Sequence, residues 1–309
     1  MSAQTQYDGM SRHDWGKTHI GGSDLAPILG KSNFKTALDL FLEKTGQKEQ
    51  GPTTRKMEVG TILEPHIRRW ASEEIGSEIL DGQAYTDPIY PYLGGNTDGK
   101  LDDETMVEIK TMDFMTRDKW GEPGTDEIPI DYYIQVTWYM GIGGFKRCLM
   151  VRFDTGSKEI EYYWVDFSQE LYDECRKAAV RFMENLLQGI PPDPSEKDGD
   201  NIIYLFPQGN EDILIAGDDV DAIASEMGAI YPELKSLERQ YELLKSQMKV
   251  SIGPAKGIET LCGKFTLSRI PGKVSWQKVA AELNPSADLV AKHTGAPSAT
   301  LNTPFKEKK

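Results

Sequence analysis

The chain has 309 residues, of which 39% are hydrophobic and 27% charged, and a formal net charge of −14. The sequence lacks the run of about 18 apolar residues that a membrane-spanning helix needs, and it lacks the apolar stretch of a secretory signal. Three scattered cysteines argue against a disulfide scaffold, a zinc ribbon and a four-cysteine iron–sulfur cluster, so we expect a cytoplasmic protein without membrane contacts.

The first informative segment is a glycine turn at 20–30, with the sequence IGGSDLAPILG. Ser23 follows the two glycines, where it can cap a short helix whose free N–H groups are able to hold a phosphate. Arg12, Lys17 and Lys31 are near enough in sequence to assist. The alternative is that Ser23 is a plain helix cap without a ligand.

Two helices are predicted next. Thr36 and Asp39 form a capping box for a helix that stops near Gly46. A second helix runs from about 59 to 75, because apolar residues recur on one of its faces. Glu64 lies beside that apolar stripe, as either an ordinary acid stabilised by the helix dipole or a metal ligand that leans over the following strands.

Residues 93–112 predict two strands joined by a polar tip, and this hairpin holds the most informative side chains. Glu108 and Lys110 point to the same face of the second strand, about 7 Å apart, while their neighbours point into the core. Asp98 lies at the end of the first strand. Two acids and a lysine therefore converge on one rim of a sheet.

This combination is typical of metal-assisted phosphodiester hydrolysis. Carboxylate oxygens are the ligands that Mg²⁺ or Mn²⁺ prefers, and both ions keep positions for water and phosphate oxygens. The lysine places a cation beside the attacking water and the charge that develops on phosphorus. The alternative is a group of solvated charges on the open face of a hairpin, since this acidic pattern also occurs by chance.

A helix is predicted over 131–141, and one of its stripes is both polar and aromatic. Tyr132, Gln135 and Tyr139 share that stripe, which faces either a nucleotide and metal-bound water or simply a half-buried surface. Two strands and a last helix then complete the region, at about 146–153, 160–166 and 168–189. This order of elements predicts a three-layer α/β plan around a small sheet.

A segment rich in proline, glycine and acidic residues ends this region. Residues 191–220 carry a net charge of −7, half of the total. We expect a domain over 1–190, an acidic linker over 191–218, and a C-terminal helical hairpin with a small β/α appendage over 219–309. The overall charge does not exclude DNA binding, because a local basic groove or metal-neutralised carboxylates can offset it.

The C-terminal region contains apolar residues spaced alternately four and three apart, as in a coiled coil. This apolar seam consists of Ile223, Met227, Ile230, Leu234, Leu237, Tyr241, Leu244 and Met248. Pro232, with Gly228 nearby, predicts two helices instead of one. The simplest alternative for the seam is packing against the main domain or within its own hairpin. A strand at about 263–270 and a helix after 275 complete the prediction.

Taken in this order, the segments resemble the phage-type recombination nucleases of the lambda exonuclease/YqaJ group, within the PD-(D/E)xK nuclease superfamily. The resemblance extends from about 12 to 190. It is carried by IGGSDLAPILG followed by LDLFLEKTG, by VGTILEPHIRRW, by GGNTDGKL with VEIKT, and by YYIQVTWYM.

The resemblance implies a restriction-endonuclease-like three-layer α/β core, with a small mixed sheet flanked by helices and a C-terminal helical/β appendage. It also implies two Mg²⁺ or Mn²⁺ ions in each active site, with Lys110 as the catalytic lysine. The ligands would be Asp98, Glu108, the carbonyl of Ile109 and the catalytic Glu64, with Gln135 and Tyr132 beside them.

The activity that the resemblance implies is Mg²⁺-dependent 5′→3′ exonuclease action on the ends of linear double-stranded DNA. The 3′ single-stranded tails would serve recombination through a single-strand annealing protein of the RecT or Red-beta type. Relatives form ring-shaped trimers, so a homotrimer is expected, encoded by a phage or prophage and active in the bacterial cytoplasm.

This sequence departs from the family pattern in the residues that would hold the terminal 5′-phosphate. The lambda enzyme holds it with an arginine shortly before the glycine turn, which the spacing here does not reproduce. Ser23 carries over directly, with Lys17 as the substitute, followed by Arg12 and Lys31. The alternatives are a DNA endonuclease of the same superfamily, or a non-catalytic recombination-assembly factor that docks an annealing protein through the helices of 219–250.

Overall fold

The computed structural model describes residues 12–112, 114–209, 213–268, 275, 280 and 282–293. The chain divides into two compact units, residues 1–207 and 208–309, called here the N-terminal unit and the C-terminal unit. Among the helices of the described ranges, none combines the length and the apolar character needed to cross a bilayer.

The N-terminal unit mixes helices and strands. Its helices are α1 (Arg12–Thr18), α2 (Gly22–Ile28), α3 (Ala37–Lys44), α4 (Arg55–Ile75), α5 (Ile130–Gly143), α6 (Gln169–Gln188) and α7 (Ile202–Leu205). Its strands are β1 (Leu80–Asp81), β2 (Ala84–Thr86), β3 (Gly94–Asn96), β4 (Gly99–Lys100), β5 (Thr105–Met112), β6 (Arg147–Asp154) and β7 (Ile160–Asp166).

Five of these strands form a mixed sheet in the order β1-β4-β5-β6-β7. The β5–β6 pair is parallel, with Lys110 opposite Arg152, and the crossover between them contains α5. The other pairs of the sheet are antiparallel. The first strand of the predicted hairpin is divided in the structure. Its beginning is β3, which pairs with β2, and its end, Gly99–Lys100, pairs with β5.

The two faces of the sheet are covered by different helices. Ile67 and Ala71 of α4 pack on the face that holds Val107 and Ile109. Val136 and Met140 of α5 pack on the other face, against Met106, Cys148, Met150 and Val165. Behind α5, a third apolar cluster joins α2, α3 and α6. The predicted three-layer α/β core is therefore confirmed.

Local signals set most helix ends. The Thr36 hydroxyl accepts a hydrogen bond from the N–H of Asp39, which confirms the predicted capping box. Helix α4 begins four residues earlier than the predicted start at 59, because Thr54 supplies the cap by accepting from the N–H of Met57. Gly144 and Gly189 end α5 and α6 in the left-handed conformation that glycine tolerates best.

Part of the predicted acidic linker belongs to the N-terminal unit. Asp198 is buried and accepts a hydrogen bond from the Thr36 hydroxyl at 2.5 Å. The Lys48 ammonium donates to the side chain of Asn201 at 2.9 Å. The prediction that 191–218 forms a linker is therefore wrong for 191–207, because specific polar contacts hold this segment despite its prolines and charges.

The C-terminal unit is dominated by a single helix, α8 (Asp218–Ile252), of 35 residues. Two short strands, β8 (Gly257–Thr260) and β9 (Gly263–Thr266), form an antiparallel pair, and a short helix follows at Ala287–Lys292. The strand predicted to reach 270 ends at Thr266. Most of the helix predicted after 275 lies outside the described residues.

The predicted helical hairpin is wrong, because Pro232 lies inside α8 and does not end it. Proline lacks the N–H that would bond to the carbonyl four residues earlier, and its ring crowds that carbonyl. Here that residue is Gly228, and both positions lie on the side of the helix opposite the apolar seam. Water can satisfy the released carbonyl there, so the helix continues.

Candidate active site

The end of β4 exposes one edge of β5. Gly99 is paired with Val107, so the following residues of β5 have no partner on β4. Asp98 takes that place, because its Oδ2 accepts a hydrogen bond from the N–H of Ile109 at 2.8 Å. The N–H and carbonyl of one strand residue face the same edge, so the Ile109 carbonyl also lies on the side of Asp98.

Glu108 and Lys110 lie on the α5 side of the sheet and form an ion pair. Their Oε1 and Nζ atoms are 2.7 Å apart. The Glu108 side chain is only 2% exposed, and that of Lys110 is 20% exposed. The pair is thus a partly desolvated charge cluster, and the alternative of solvated charges on an open hairpin face is wrong.

Helix α5 completes the wall of the site with the predicted polar stripe. Gln135 Nε2 donates to Glu108 Oε1 at 3.2 Å and to the Tyr139 hydroxyl at 3.1 Å. The Lys110 ammonium lies 5.2 Å from the centre of the Tyr132 ring, within the range of a cation–π contact. The stripe therefore faces the two charged side chains of β5.

The charges of the site depend on one another. Burial raises the pKa of Glu108 above its ordinary value, and the carboxylates of Asp98 and Glu64 raise it further, whereas Lys110 lowers it. Burial lowers the pKa of Lys110, but the carboxylates of Glu108 and Asp98 outweigh it, so the net shift is upward. Lys110 therefore remains an ammonium, and the acidic groups around it favour the addition of a cation.

The donor set fits a hard divalent cation. In the described residues, no three His, Cys, Asp or Glu side chains are already gathered as a metal-binding group. However, Glu108 Oε2 is buried and accepts no hydrogen bond from the described part of the chain. A buried carboxylate oxygen without a partner is costly, and a cation would satisfy it. The carboxylates and the Ile109 carbonyl provide only oxygen ligands, as Mg²⁺ and Mn²⁺ prefer.

Glu64 approaches from a different element. It lies on α4, which packs on the face of the sheet opposite α5, and it is half-buried. Its charge is one of the causes that raise the pKa of Glu108. Glu64 is thus part of the electrostatic environment of the site, whereas its role as a ligand stays a prediction.

The predicted phosphate-binding residues are less closely joined to the site. Gly21, not Ser23, is the cap of α2, and its N–H donates to Asp24 Oδ2. Ser23 lies in the first turn with its side chain exposed, so its predicted capping role is wrong. However, the neighbouring Gly22 packs directly against Gln135 and Tyr139, which places the start of α2 beside the site.

The three basic candidates lie on or directly after the first two helices. Lys17 lies in the last turn of α1 and Lys31 follows α2, and both side chains are exposed. Arg12 begins α1, but its side chain lies outside the described residues. Their phosphate-binding roles stay predictions.

Two arginines near the site were not predicted. Arg68 of α4 donates to the backbone carbonyl of Asp98 at 3.0 Å and pairs with Asp81, so it holds the Asp98 segment in place. Arg152 is the register partner of Lys110, and its guanidinium donates to the Tyr163 hydroxyl at 3.0 Å. The sequence signal that could have found Arg152 is its position as a basic residue within the mainly apolar strand segment CLMVRFD.

Comparison with known families identifies the region that contains the site. Residues 12–146 match the model of the YqaJ-like viral recombinase domain. The matched region is thus similar to the YqaJ-like domain over less than half of the chain. The match includes α1 through α5 and thus every residue of the candidate active site, and it confirms the resemblance to the YqaJ group.

A curated relative is the protein YqaJ of Bacillus subtilis strain 168, described as uncharacterized. It is 27% identical to this chain over 190 residues, which cover 58% of each protein. The chain thus spans somewhat more than half of the length of that relative.

Several solved structures also resemble the chain. The alkaline exonuclease LHK-Exo from Laribacter hongkongensis aligns with a TM-score of 0.46 and 19% identity, over 57% of this chain and 93% of that protein. A phage related exonuclease from Haemophilus somnus 129PT aligns with a TM-score of 0.45 and 13% identity, over 56% of this chain and 96% of that protein.

Proposed function

We propose that the YqaJ-like domain is a deoxyribonuclease that degrades linear double-stranded DNA from its 5′ ends with Mg²⁺ or Mn²⁺. The observation that carries the proposal is the buried Glu108 carboxylate, which has one oxygen without a hydrogen-bond partner among the described residues and the other paired with Lys110. Asp98 and the Ile109 carbonyl share the same strand edge. A cation bound there would relieve the unfavourable burial of Glu108.

The side chains of the chain have separate roles in this reaction. Asp98, Glu108, the Ile109 carbonyl and Glu64 would hold two divalent ions. Bound there, the ions would lower the pKa of the attacking water and neutralise charge on the phosphate. The Lys110 ammonium would donate hydrogen bonds to that water and to the phosphate oxygens. Gln135 holds Glu108 in place, and Tyr132 lies against the lysine.

The name of the matched domain supports a role in recombination. A viral recombinase domain with nuclease chemistry would produce 3′ single-stranded tails, which a single-strand annealing protein of the RecT or Red-beta type would use. Ser23, with Lys17, Arg12 and Lys31, is proposed to receive the terminal phosphate. A homotrimer that surrounds the DNA end is proposed for the assembly, in a phage or prophage setting inside the bacterial cytoplasm.

The decisive assay incubates the wild-type protein and Lys110→Ala with linear and covalently closed circular duplexes, with and without Mg²⁺. We expect the wild type to degrade only the linear duplex and only with Mg²⁺. Lys110→Ala should lose at least a hundredfold in rate, as expected when a charge-stabilising group is removed. The matched control is Lys100→Ala, because Lys100 lies on the neighbouring strand and pairs with the exposed Asp103.

The outcomes separate the possible activities. Cleavage of the circular duplex would indicate an endonuclease, and loss of neither substrate would indicate a non-catalytic assembly factor. Linear duplexes with phosphorothioate linkages at only the 5′ or only the 3′ ends then test polarity. Protection by the 5′ modification is the expected result, and protection by the 3′ modification alone would contradict the proposed direction.

Metal binding has a readout that does not depend on catalysis. Mn²⁺ should raise the thermal unfolding midpoint of the wild type, because a ligand that binds only the folded state stabilises it. Glu108→Gln should abolish most of that increase. Glu104→Gln is the control, since Glu104 lies at the exposed hairpin tip and pairs with Lys146. Equal increases for both variants would contradict the assigned site.

A further inference from the structure

Helix α8 presents the apolar seam to the surface. Ile223, Ile230, Leu234, Leu237, Tyr241 and Leu244 are between 47% and 64% exposed. Of the 35 residues of α8, all within the described part of the chain, Ile252 is the buried one. A seam with strict four-three spacing is the pattern that lets two helices supercoil around each other.

The charges of α8 are unevenly distributed along its length. Residues 218–234 contain five acidic side chains and no basic one, whereas 235–252 contain four basic and two acidic side chains. The helix is therefore negative in its N-terminal half and positive in its C-terminal half. A second copy of the same helix, placed in the opposite direction, would bring each acidic half beside a basic half.

We propose that two copies of this chain associate through α8 as an antiparallel two-stranded coiled coil, which joins copies from two different trimers where the proposed homotrimer forms. In heptad notation, Met227, Leu234, Tyr241 and Met248 occupy a positions, and Ile223, Ile230, Leu237 and Leu244 occupy d positions. In one antiparallel register every a residue meets a d residue of the other copy. The central layer pairs Leu234 with Leu237, and the outer layer pairs Ile223 with Met248.

The parallel arrangement is disfavoured by the charges beside the seam. Parallel helices would place Glu233 at g against Glu238 at e of the other copy, twice in each dimer. The antiparallel register instead places Glu238 near Tyr231 and Glu233 near Gln240, so like charges are kept apart. Pro232 lies at the outer f position in either arrangement and does not enter the interface.

The first test is cross-linking of the full chain with a short bismaleimide. The exposed Cys262 is first replaced by serine, and this Cys262→Ser protein is the background for the test. Cys148 and Cys175 are buried and are left unchanged. Ile223→Cys and Met248→Cys are prepared as two separate proteins in that background. In the antiparallel dimer, residue 223 of one copy is about 37 Å along the axis from residue 223 of the other, by the rise of 1.5 Å per residue.

The expected result is a cross-linked dimer when the two proteins are mixed, and little product from either protein alone. Cross-linking of Ile223→Cys with itself would overturn the antiparallel arrangement. Failure of the mixture to cross-link would overturn the association through α8 altogether.

The second test measures the mass of the full chain in solution by light scattering. Leu234→Asp combined with Leu237→Asp places charges in the central layer, and the mass should fall twofold. Leu243→Asp is the matched control, because Leu243 is 59% exposed on the same helix but lies off the seam. An unchanged mass in the double variant, with helical content equal to the control by circular dichroism, would overturn the proposal.

Discussion

The two units of the chain place their apolar residues in different surroundings. In the N-terminal unit, apolar side chains fill three buried clusters around the sheet and its helices. In the C-terminal unit, Ile252 is the buried residue among the 35 of α8. The N-terminal unit thus gains folding free energy from its own core, whereas α8 depends on helix propensity and on association.

The charged residues differ in the same way. Asp87 is buried and pairs with Arg176 at 2.7 Å. On α8, the Lys245–Glu242 pair is exposed to solvent, where an ion pair contributes little. Substitutions in the N-terminal unit should therefore change the free energy of unfolding, while substitutions in α8 should change assembly.

The largest effect is expected for Trp138→Ala. Trp138 is fully buried between α5 and the helices behind it, and its Nε1 donates to the carbonyl of Gly94 at 3.0 Å. Its removal leaves a cavity and an unpaired carbonyl, so unfolding should become easier by about 4 kcal/mol. Urea denaturation followed by circular dichroism measures this. A loss below about 1 kcal/mol would mean that the core of the N-terminal unit is less tightly packed than the structure indicates.

A smaller effect, which depends on pH, is expected for Asp87→Asn. Burial raises the pKa of Asp87, but hydrogen bonds from Arg176 and from the N–H groups of Tyr90 and Ile89 outweigh it, so the net shift is downward. The ionised carboxylate thus stabilises the fold above the ordinary pKa of 3.8, and this contribution disappears as the pH falls through the lowered value.

At pH 7 the variant should lose about 1.5–3 kcal/mol of stability, the range for a hydrogen-bonded charged group. Its difference from the wild type should shrink as the pH is lowered toward 3, as measured by urea titrations across the pH range. Glu242→Gln on α8 is the comparison, with no detectable change expected. A constant difference for Asp87→Asn at all pH values would show that ionisation of Asp87 is not the cause.

Gly95→Ala tests the packing that supports the candidate active site. A Cβ at Gly95 would overlap the ring of Tyr139, whose hydroxyl accepts from Gln135. Overpacking of this kind costs about 1–3 kcal/mol, and nuclease activity should fall because Gln135 also holds Glu108. Gly16→Ala is the control, since a Cβ there meets no atom within 4 Å. Full activity in the Gly95 variant would show that the position of Tyr139 does not affect the active site.

The elements that could be predicted from the sequence are those with strong local signals. The alternation around Glu108 and Lys110 and the stripe of Tyr132, Gln135 and Tyr139 follow from the periods of a strand and a helix. The structure adds that the two elements face each other, with Gln135 3.2 Å from Glu108. Only the resemblance to a known family indicated that proximity beforehand.

The features that were missed depend on contacts between distant residues. Thr36 and Asp198 are separated by 162 positions, so the docking of 191–207 leaves no local signal. Arg68 reaches Asp98 through the fold, and its sequence neighbours give no reason to expect it. Pro232 does not end α8, because it lies on the side of the helix opposite the apolar seam. A rule that treats every proline as a helix breaker does not consider which side of the helix the proline occupies.

The smallest effect on folding is expected for Leu237→Ala. Leu237 is 56% exposed, so its truncation should change the unfolding free energy of the N-terminal unit by less than about 0.5 kcal/mol. Tryptophan fluorescence reports on that unit, because five of the six tryptophans lie within residues 1–207. The same substitution should weaken the association through α8 in dilution experiments, so that the mass falls by up to twofold, because Leu237 lies in the central layer of the proposed coiled coil. A large loss of stability in the N-terminal unit would instead mean that the seam packs against its own chain, and the contrast between the two units would then no longer hold.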